Sequence, residues 1–306
     1  MNNTPTIVAA DGHVHVYPAY DIKAMFCNLI QNLDRLAGLP ARLQRYAQHC
    51  GQAVATAPAL RAGAAGFAES GTIGNGIHKL AFLAESREHD FFCRLKDQDK
   101  AIVGHGLEIT SGPDPVCVTV SFHEVGRVCL VAGRQIVTRE RLEILALAMR
   151  AKIPDGLPAR DVIQRVVEAG GIPVLAWSPG KWLFARGHLV RDLIESDQGQ
   201  ILRLGDTTLR PTLWPEPRLM KLARARGMTV IPGSDPLPLA GEERYAGTYG
   251  FIYQGAFDAS QPAVSIGRML AGPAAASWAG YGLTPVGARC RAWAVVRRLY
   301  QLQTTD

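Results

Sequence analysis

Thr6-Ile-Val-Ala-Ala-Asp-Gly-His-Val-His15 is the stretch on which the expected fold depends. Its first five residues form a short apolar run that ends in Asp11-Gly12, so the pattern predicts a buried strand entering a turn. His13 and His15 follow at once, and in extended backbone residues i and i+2 point to the same side. The two imidazoles can therefore face one cavity and hold one ion, although two hydrogen-bonded histidines in a turn fit the same pattern.

Apolar segments alternate with helical patterns in the second half of the chain. Helices are predicted at residues 139–151, 160–169, 183–195 and 216–226, and strands at residues 172–177, 201–204 and 228–232. Strands that are apolar throughout and alternate with helices are typical of a parallel sheet covered by helices. No repeat or clear linker divides the chain. We therefore predict an α/β fold, a distorted TIM-like (β/α)7-8 barrel forming a single domain over residues 1–306.

The first half gives weaker patterns. An amphipathic helix is predicted at residues 20–37, and residues 116–122 and 127–132 predict a hairpin. The Ala- and Gly-rich residues 57–76 predict a loop or weak helix. The Tyr- and Gly-rich residues 241–255 are left open between a lid over the pocket and a structural return.

The composition excludes several classes of protein. The 306 residues are 47% hydrophobic and 20% charged, which is ordinary for a globular protein. No run of about 18 apolar residues predicts a membrane span, and the N-terminal residues lack a secretory pattern, so a cytoplasmic location is expected. The net charge of +6 is spread along the chain, and we expect no nucleic-acid partner. The six cysteines lack CxxC spacing and are predicted to be reduced.

Carboxylates at predicted strand ends are the next candidates, because the loops after parallel strands form the active-site face of a barrel. Asp235 ends Ile231-Pro-Gly-Ser-Asp235, and Glu108 ends a strand whose glycines permit close backbone approach. Either carboxylate could bind a metal or take a proton from a bound water. Asp235 could equally cap its own turn, and Glu108 could be a salt-bridged residue at a strand end.

Two basic residues could bind an anionic substrate. Lys181, in the tight turn Ser178-Pro-Gly-Lys-Trp182, could hold a phosphate or carboxylate as a point charge. Arg210 could provide a bidentate clamp from a neighbouring loop that also carries Asp206. The GxxxxGK[ST] spacing of a phosphate-binding loop is missing. The alternative for both basic residues is a surface charge.

The order of four short motifs resembles a known family. The motifs are Asp11-Gly-His-Val-His15, Gly106-Leu-Glu108, Gly170-Gly-Ile-Pro-Val-Leu-Ala176 and Gly233-Ser-Asp235. Together they resemble the polymerase-and-histidinol-phosphatase (PHP) family of metal-dependent phosphoesterases and, more distantly, the amidohydrolases. The resemblance implies a distorted barrel with one to three divalent ions at the strand ends. By position, it implies metal ligands at His13, His15, Glu108 and Asp235.

The chain departs from the family pattern at two ligand positions. The loop Trp177-Ser-Pro179 lacks the usual histidine, and Asp235-Pro-Leu237 lacks the histidine of an Asp-x-His motif. The ligand set is therefore incomplete. The site then holds fewer ions than usual, or Lys181 replaces the charge of a lost metal, or catalysis has been lost.

The expected function is that of a metal-dependent hydrolase acting on a small phosphate ester. A Zn, Mn or Fe ion would activate a water, Asp235 or Glu108 would orient it, and Lys181 with Arg210 would hold the anionic group. Asp206 joins them as a substrate-binding candidate. The alternative is a degenerate, non-catalytic PHP-like barrel that binds a small anionic ligand with a weak ion or none.

Overall fold

The chain forms two mixed β-sheets in the structure, which is a computed structural model. It describes residues 6–49, 77–86, 88–99, 102, 106–112, 114–122, 125–196, 198–271 and 283–305. The loop predicted at residues 57–76 lies outside these ranges. Across the part of the chain described, no helix combines the length and the apolar character needed to cross a membrane.

The strands within the described ranges are numbered in chain order. They are β1 (Thr6–Val14), β2 (Ile77–Leu83), β3 (Leu107–Thr110), β4 (Cys117–Phe122), β5 (Gly126–Val131), β6 (Gly133–Val137), β7 (Glu143–Leu147), β8 (Ile172–Ala176), β9 (Arg203–Thr207), β10 (Val230–Gly233), β11 (Tyr249–Gly255) and β12 (Thr284–Gly287). The helices are α1 (Ile22–His49), α2 (Phe91–Lys96), α3 (Ala159–Glu168), α4 (Phe184–Glu195), α5 (Gln198–Ile201), α6 (Arg218–Ala225), α7 (Pro262–Ala271) and α8 (Ala292–Thr305).

Seven strands make the first sheet and five make the second. The first has the order β12-β11-β1-β2-β5-β4-β3, in which β1, β2 and β5 are parallel and the outer strands are antiparallel. The second has the order β10-β9-β8-β7-β6, in which β8, β9 and β10 are parallel. The parallel strands of both sheets end in the loops that carry the candidate site.

Side-chain alternation along the strands builds three apolar clusters. Val8 and Ala10 of β1 point into a cluster that also takes Val174 and Ala176 of β8, so the two sheets share a core. Ala9, on the opposite face of β1, packs with the apolar stripe of α1. The outer face of the second sheet packs against α3, α4 and α6. The strands near the site are therefore buried on both faces, which fixes their register.

The predicted barrel is wrong, because the sheets do not close into one ring. A barrel needs a continuous hydrogen-bonded ladder between every pair of neighbouring strands. Both edges of β1 are occupied, by β2 and by β11, so β10 cannot join it as a ladder partner. Elsewhere in the described ranges, the bridge between Glu85 and Arg134 is isolated and extends no strand.

Two segments account for this difference. Residues 139–151, predicted as a helix, contain β7, which pairs antiparallel with both β6 and β8. Its apolar residues are buried on both faces, and a short apolar run of this kind fits a helix or a strand equally well by periodicity. Residues 241–255, left open, contain β11, which runs antiparallel to β1. The fold is thus a pair of mixed sheets rather than a ring of βα units.

Candidate metal centre

A close approach between β1 and β10 builds the site. A Cβ on Gly12 would lie 2.4 Å from Ile231 Cγ2, and a Cβ on Gly233 would lie 2.3 Å from the His13 backbone nitrogen. Only glycine fits at these two points, because any side chain would collide with the opposing strand. The backbone N–H of Asp235 donates to the His13 carbonyl oxygen at 2.9 Å. Residues more than 200 positions apart in the chain are thus held side by side.

Three buried ligand-type side chains converge at this junction. His13 Nε2 lies 2.9 Å from His15 Nε2, and each nitrogen lies 3.5 Å from Asp235 Oδ1. Within the described part of the chain, this is the group of three or more ligand-type residues that could hold a metal ion. His13 Nδ1 is buried and has no hydrogen-bond partner among the described residues. The tautomer of His13 is therefore set by what its Nε2 faces.

The protonation states suit a metal ligand set. Burial lowers the pKa of His13 below its ordinary 6.5, although the Asp235 charge opposes this. Burial acts to raise the pKa of Asp235, but His13, His15 and Arg298 together lower it to about 2. At neutral pH the group thus offers a neutral His13 imidazole and an ionised carboxylate, the forms that bind metals.

Asp11, predicted to enter a turn, lies instead within β1 and fixes the junction between β1 and the Ser234-Asp235 turn. Its carboxylate accepts hydrogen bonds from the backbone N–H groups of His13, Ser234 and Gly247 at 2.8–3.1 Å, and from the Ser234 hydroxyl at 2.5 Å. Burial raises the pKa of Asp11 to about 6, and these hydrogen bonds limit the rise. Asp11 is therefore ionised at pH 7 and ties the start of the His-x-His segment to the Ser234-Asp235 turn.

The Asp235 backbone has a left-handed conformation, with φ at +50°. Aspartate tolerates this region better than most residues, but it persists only where the surroundings hold it. Arg298 of α8 donates to the Asp235 carbonyl oxygen at 3.4 Å and to the Thr208 hydroxyl at 3.0 Å, and it pairs with Glu242. The turn that aims the Asp235 carboxylate is thus held by a buried ion pair.

Glu143, at the start of β7, is a carboxylate near the site that the sequence did not reveal. Its charge acts on His13, and its carboxylate lies 3.5 Å from the Gln135 amide nitrogen. Glu143 accepts hydrogen bonds from the Ser178 hydroxyl at 3.0 Å and from the Lys181 ammonium. The prediction of a helix over residues 139–151 did not place Glu143 at the start of a strand. Lys181 is thus held near the centre, and an ammonium has three protons to donate.

Glu108, expected as a ligand and a catalytic residue, is not brought to this group. It is exposed on β3, the edge strand of the first sheet. β4, β5 and β2 lie between β3 and β1, which corresponds to roughly 19 Å at about 4.8 Å per strand. Because the strand carrying Glu108 pairs antiparallel at the edge, it does not end beside His13.

Arg210 and Asp206, expected to bind substrate, bind each other instead. Both Asp206 carboxylate oxygens accept from the Arg210 guanidinium, and the Tyr249 hydroxyl donates to Asp206 at 2.7 Å. Arg210 also donates to the Trp214 carbonyl oxygen at 3.3 Å. Both side chains are buried, so this pair neutralises its own charge and leaves no free clamp for an anion.

Glu85 follows β2 and gives a pH-dependent prediction. Burial raises the pKa of Glu85 from an ordinary 4.5 to about 7, although its carboxylate accepts from the Phe92 N–H at 2.8 Å. Between these values the folded chain keeps a proton that the unfolded chain has lost, so stability falls as pH rises. This term reaches at most about 3 kcal/mol. Glu85→Gln should flatten the decrease between pH 4.5 and 7, measured by urea unfolding; an unchanged slope would contradict it.

The fold and the site define a class: an α/β protein with a buried group of two histidines and one carboxylate. No protein-family model matches the chain, and no curated protein matches it. Among solved structures, the chain is similar to PsfC from Pseudomonas syringae PB-5123 at 12% identity, with a TM-score of 0.52 over 99% of both chains. This likeness concerns the fold alone, and the resemblance to the PHP family stays a prediction.

Proposed function

We propose that the protein is a metal-dependent hydrolase that holds one divalent ion between His13, His15 and Asp235 and cleaves a small phosphate ester. The observation that carries the proposal is the convergence of three buried donor atoms on one point. Two histidines and one carboxylate are a usual protein ligand set for catalytic zinc and for non-haem iron.

The spacing of the donor atoms supports this assignment. Two nitrogens bound to one zinc at about 2.05 Å, at angles of about 90–110°, lie about 2.9–3.4 Å apart. The His13 and His15 Nε2 atoms are 2.9 Å apart. The two histidines and Asp235 are therefore spaced as three ligands of one ion, with further coordination positions left for water or substrate.

The residues around the ligands have distinct roles in the proposed reaction. When bound, the ion supplies a hydroxide nucleophile near neutral pH, because it lowers the pKa of water towards ~7. The pKa of Asp235 is lowered to about 2, so its carboxylate is ionised at neutral pH and can bind the ion. Lys181, oriented by Glu143 and partly exposed, donates to an oxygen of the phosphate and stabilises the charge that develops there.

The alternative, binding of an anion without a divalent ion or turnover, would leave Lys181 as the one cationic contact among the two basic residues that the sequence predicts for the site. Arg210 is neutralised by Asp206, and Lys181 is paired with Glu143. Without a divalent ion, a phosphate would meet these carboxylates with little positive charge to balance it. The observed pairing therefore favours the metal-dependent function over simple anion binding.

Metal titration of the purified chain tests the proposal. We expect about one equivalent of Zn, Mn or Fe(II), release of phosphate from p-nitrophenyl phosphate, and loss of both with a chelator. The melting temperature should fall on chelation, because an ion that binds the folded state stabilises it. Binding of none of the three ions would overturn the metal site. A bound ion without release of phosphate from a panel of phosphate esters would overturn the hydrolase.

A further inference from the structure

The helix α8 carries apolar side chains on two opposite faces. On its inner face, Leu299 and Leu302 pack against the apolar cluster of the second sheet. Its outer face carries Trp293, Val296 and Tyr300, which are 63%, 67% and 66% exposed. Residues three and four apart share one face of a helix, so these three side chains form a continuous apolar stripe. The inner face already attaches α8 to the fold, so packing among the described residues does not account for the stripe.

The loop that follows β9 extends this surface. The Thr212 N–H donates to the Cys290 carbonyl oxygen at 2.9 Å, and Arg289 donates to the Thr212 carbonyl oxygen at 3.3 Å, so the loop lies against the start of α8. Leu213 and Trp214 of this loop are exposed. Five of the nine large exposed apolar side chains among the described residues lie in these two adjoining segments. Single exposed apolar residues need no explanation, but a group of them marks an interaction surface.

The surroundings of the stripe are basic. Residues 284–305 contain four arginines and neither Asp nor Glu. Arg298 is neutralised by Glu242 on the inner face, whereas Arg291 and Arg297 are exposed. Arg297 lies four residues after Trp293 and therefore borders the stripe. The outer face of α8 is thus apolar at its centre and positively charged at its edge.

Charge distinguishes between the partners that could cover this face. A two-fold contact between two copies would bring the arginines of both copies together, and like charges facing each other oppose association. An anionic lipid surface balances the same charges and attracts basic amphipathic helices. Trp and Tyr also combine an apolar ring with a polar N–H or O–H, which suits the boundary between lipid headgroups and acyl chains.

We propose that the outer face of α8 docks on an anionic lipid surface. Trp293, Val296 and Tyr300 insert at the level of the headgroups, and Arg291 and Arg297 contact the lipid phosphates. The helix lies in the plane of the interface rather than across the bilayer. The inference is independent of the proposed hydrolase, because none of the three proposed metal ligands belongs to α8.

Sedimentation with lipid vesicles tests the proposal on the full chain. We expect the protein to sediment with phosphatidylcholine vesicles that contain about one-quarter phosphatidylglycerol, and to bind at least roughly tenfold more weakly to phosphatidylcholine alone. Added salt should weaken the binding, because counterions screen the arginines. Absence of binding to the anionic vesicles, or equal binding to both compositions, would overturn the proposal.

A triple variant assigns the binding to the apolar stripe. Trp293→Gln, Val296→Gln and Tyr300→Gln together should abolish sedimentation with the anionic vesicles, because no apolar side chain of α8 then enters the interface. Val264→Gln, at an exposed apolar residue of α7, is the matched control and should bind as the wild type does. The substituted positions are exposed, so urea unfolding should show that the fold is retained. Full binding by the triple variant would contradict the assignment to α8.

The double variant Arg291→Gln with Arg297→Gln tests the charge separately. We expect its binding to the anionic vesicles to weaken roughly 10- to 30-fold, since both arginines lose their attraction to the lipid. Unchanged binding would contradict the role of charge. Analytical ultracentrifugation without lipid tests the competing occupant. A dimer that the triple variant abolishes, in a protein that binds no vesicles, would show that a second copy covers this face and would overturn the lipid proposal.

Discussion

His13→Ala is expected to abolish metal binding and to reduce phosphate release at least about 1,000-fold. The substitution removes one of three protein ligands, and catalytic zinc sites keep three protein ligands beside the open position. The remaining His15 and Asp235 lie 3.5 Å apart but supply only two donors. Activation of water near neutral pH would be lost with the ion.

Metal content and thermal stability measure this effect independently of any substrate. Wild-type protein with metal at about 1,000 times its Kd should gain about 4 kcal/mol of stability, and His13→Ala should gain almost none. His15→Ala and Asp235→Asn should behave in the same way, because each removes or weakens one donor. His188→Ala, at an exposed position, should keep its metal. Retention of a full equivalent by His13→Ala would contradict the assignment.

The sequence alone could predict that His13, His15 and Asp235 lie together, although the barrel it predicted is wrong. His13 and His15 were selected because i and i+2 share a side of an extended segment, and Asp235 because it follows an apolar strand. The structure brings these three together. The reasoning needed only that strand ends share one side of the molecule, a property that parallel strands keep in open sheets as well as in barrels.

The position of Glu143 at a strand start and the pairing of β11 could not be predicted in this way, for physical reasons. Glu143 begins a strand that is buried on both faces, so its hydrophobic pattern does not alternate and does not distinguish a strand from a helix. The pairing of β11 with β1 joins residues more than 230 positions apart. No local pattern encodes such a pair, yet it occupies the edge of β1 that a closed barrel would need.

The charge pairings were only partly within reach of the sequence. Asp206 and Arg210 are four residues apart in one loop, and that spacing could have indicated mutual pairing rather than a free clamp. Lys181 and Glu143 are 38 residues apart, and only the antiparallel packing of β7 beside β8 brings them together. Sequence shows which charges exist, but the fold decides which of them remain available to a substrate.

Arg298→Met is expected to lower the free energy of unfolding by about 3–5 kcal/mol. Arg298 and Glu242 are 3% and 4% exposed, and removing one partner leaves the other charge buried without compensation. The variant also loses the bonds to Thr208 and to the Asp235 carbonyl oxygen. We therefore expect weaker metal binding, by roughly 10- to 100-fold, as for groups that orient metal ligands.

A matched control lies one residue away on the same helix. Arg297 is exposed on α8, so Arg297→Met should change stability by less than about 0.5 kcal/mol. The double variant Glu242→Gln with Arg298→Met should recover part of the loss, because it removes the buried charge that Arg298→Met leaves behind. Urea unfolding of the wild type, Glu242→Gln, Arg298→Met and the double variant gives the coupling energy between the two side chains. If the free energy of unfolding of Arg298→Met lies within about 1 kcal/mol of the wild-type value, the ion pair does not hold the turn. The left-handed conformation of Asp235 must then have another cause.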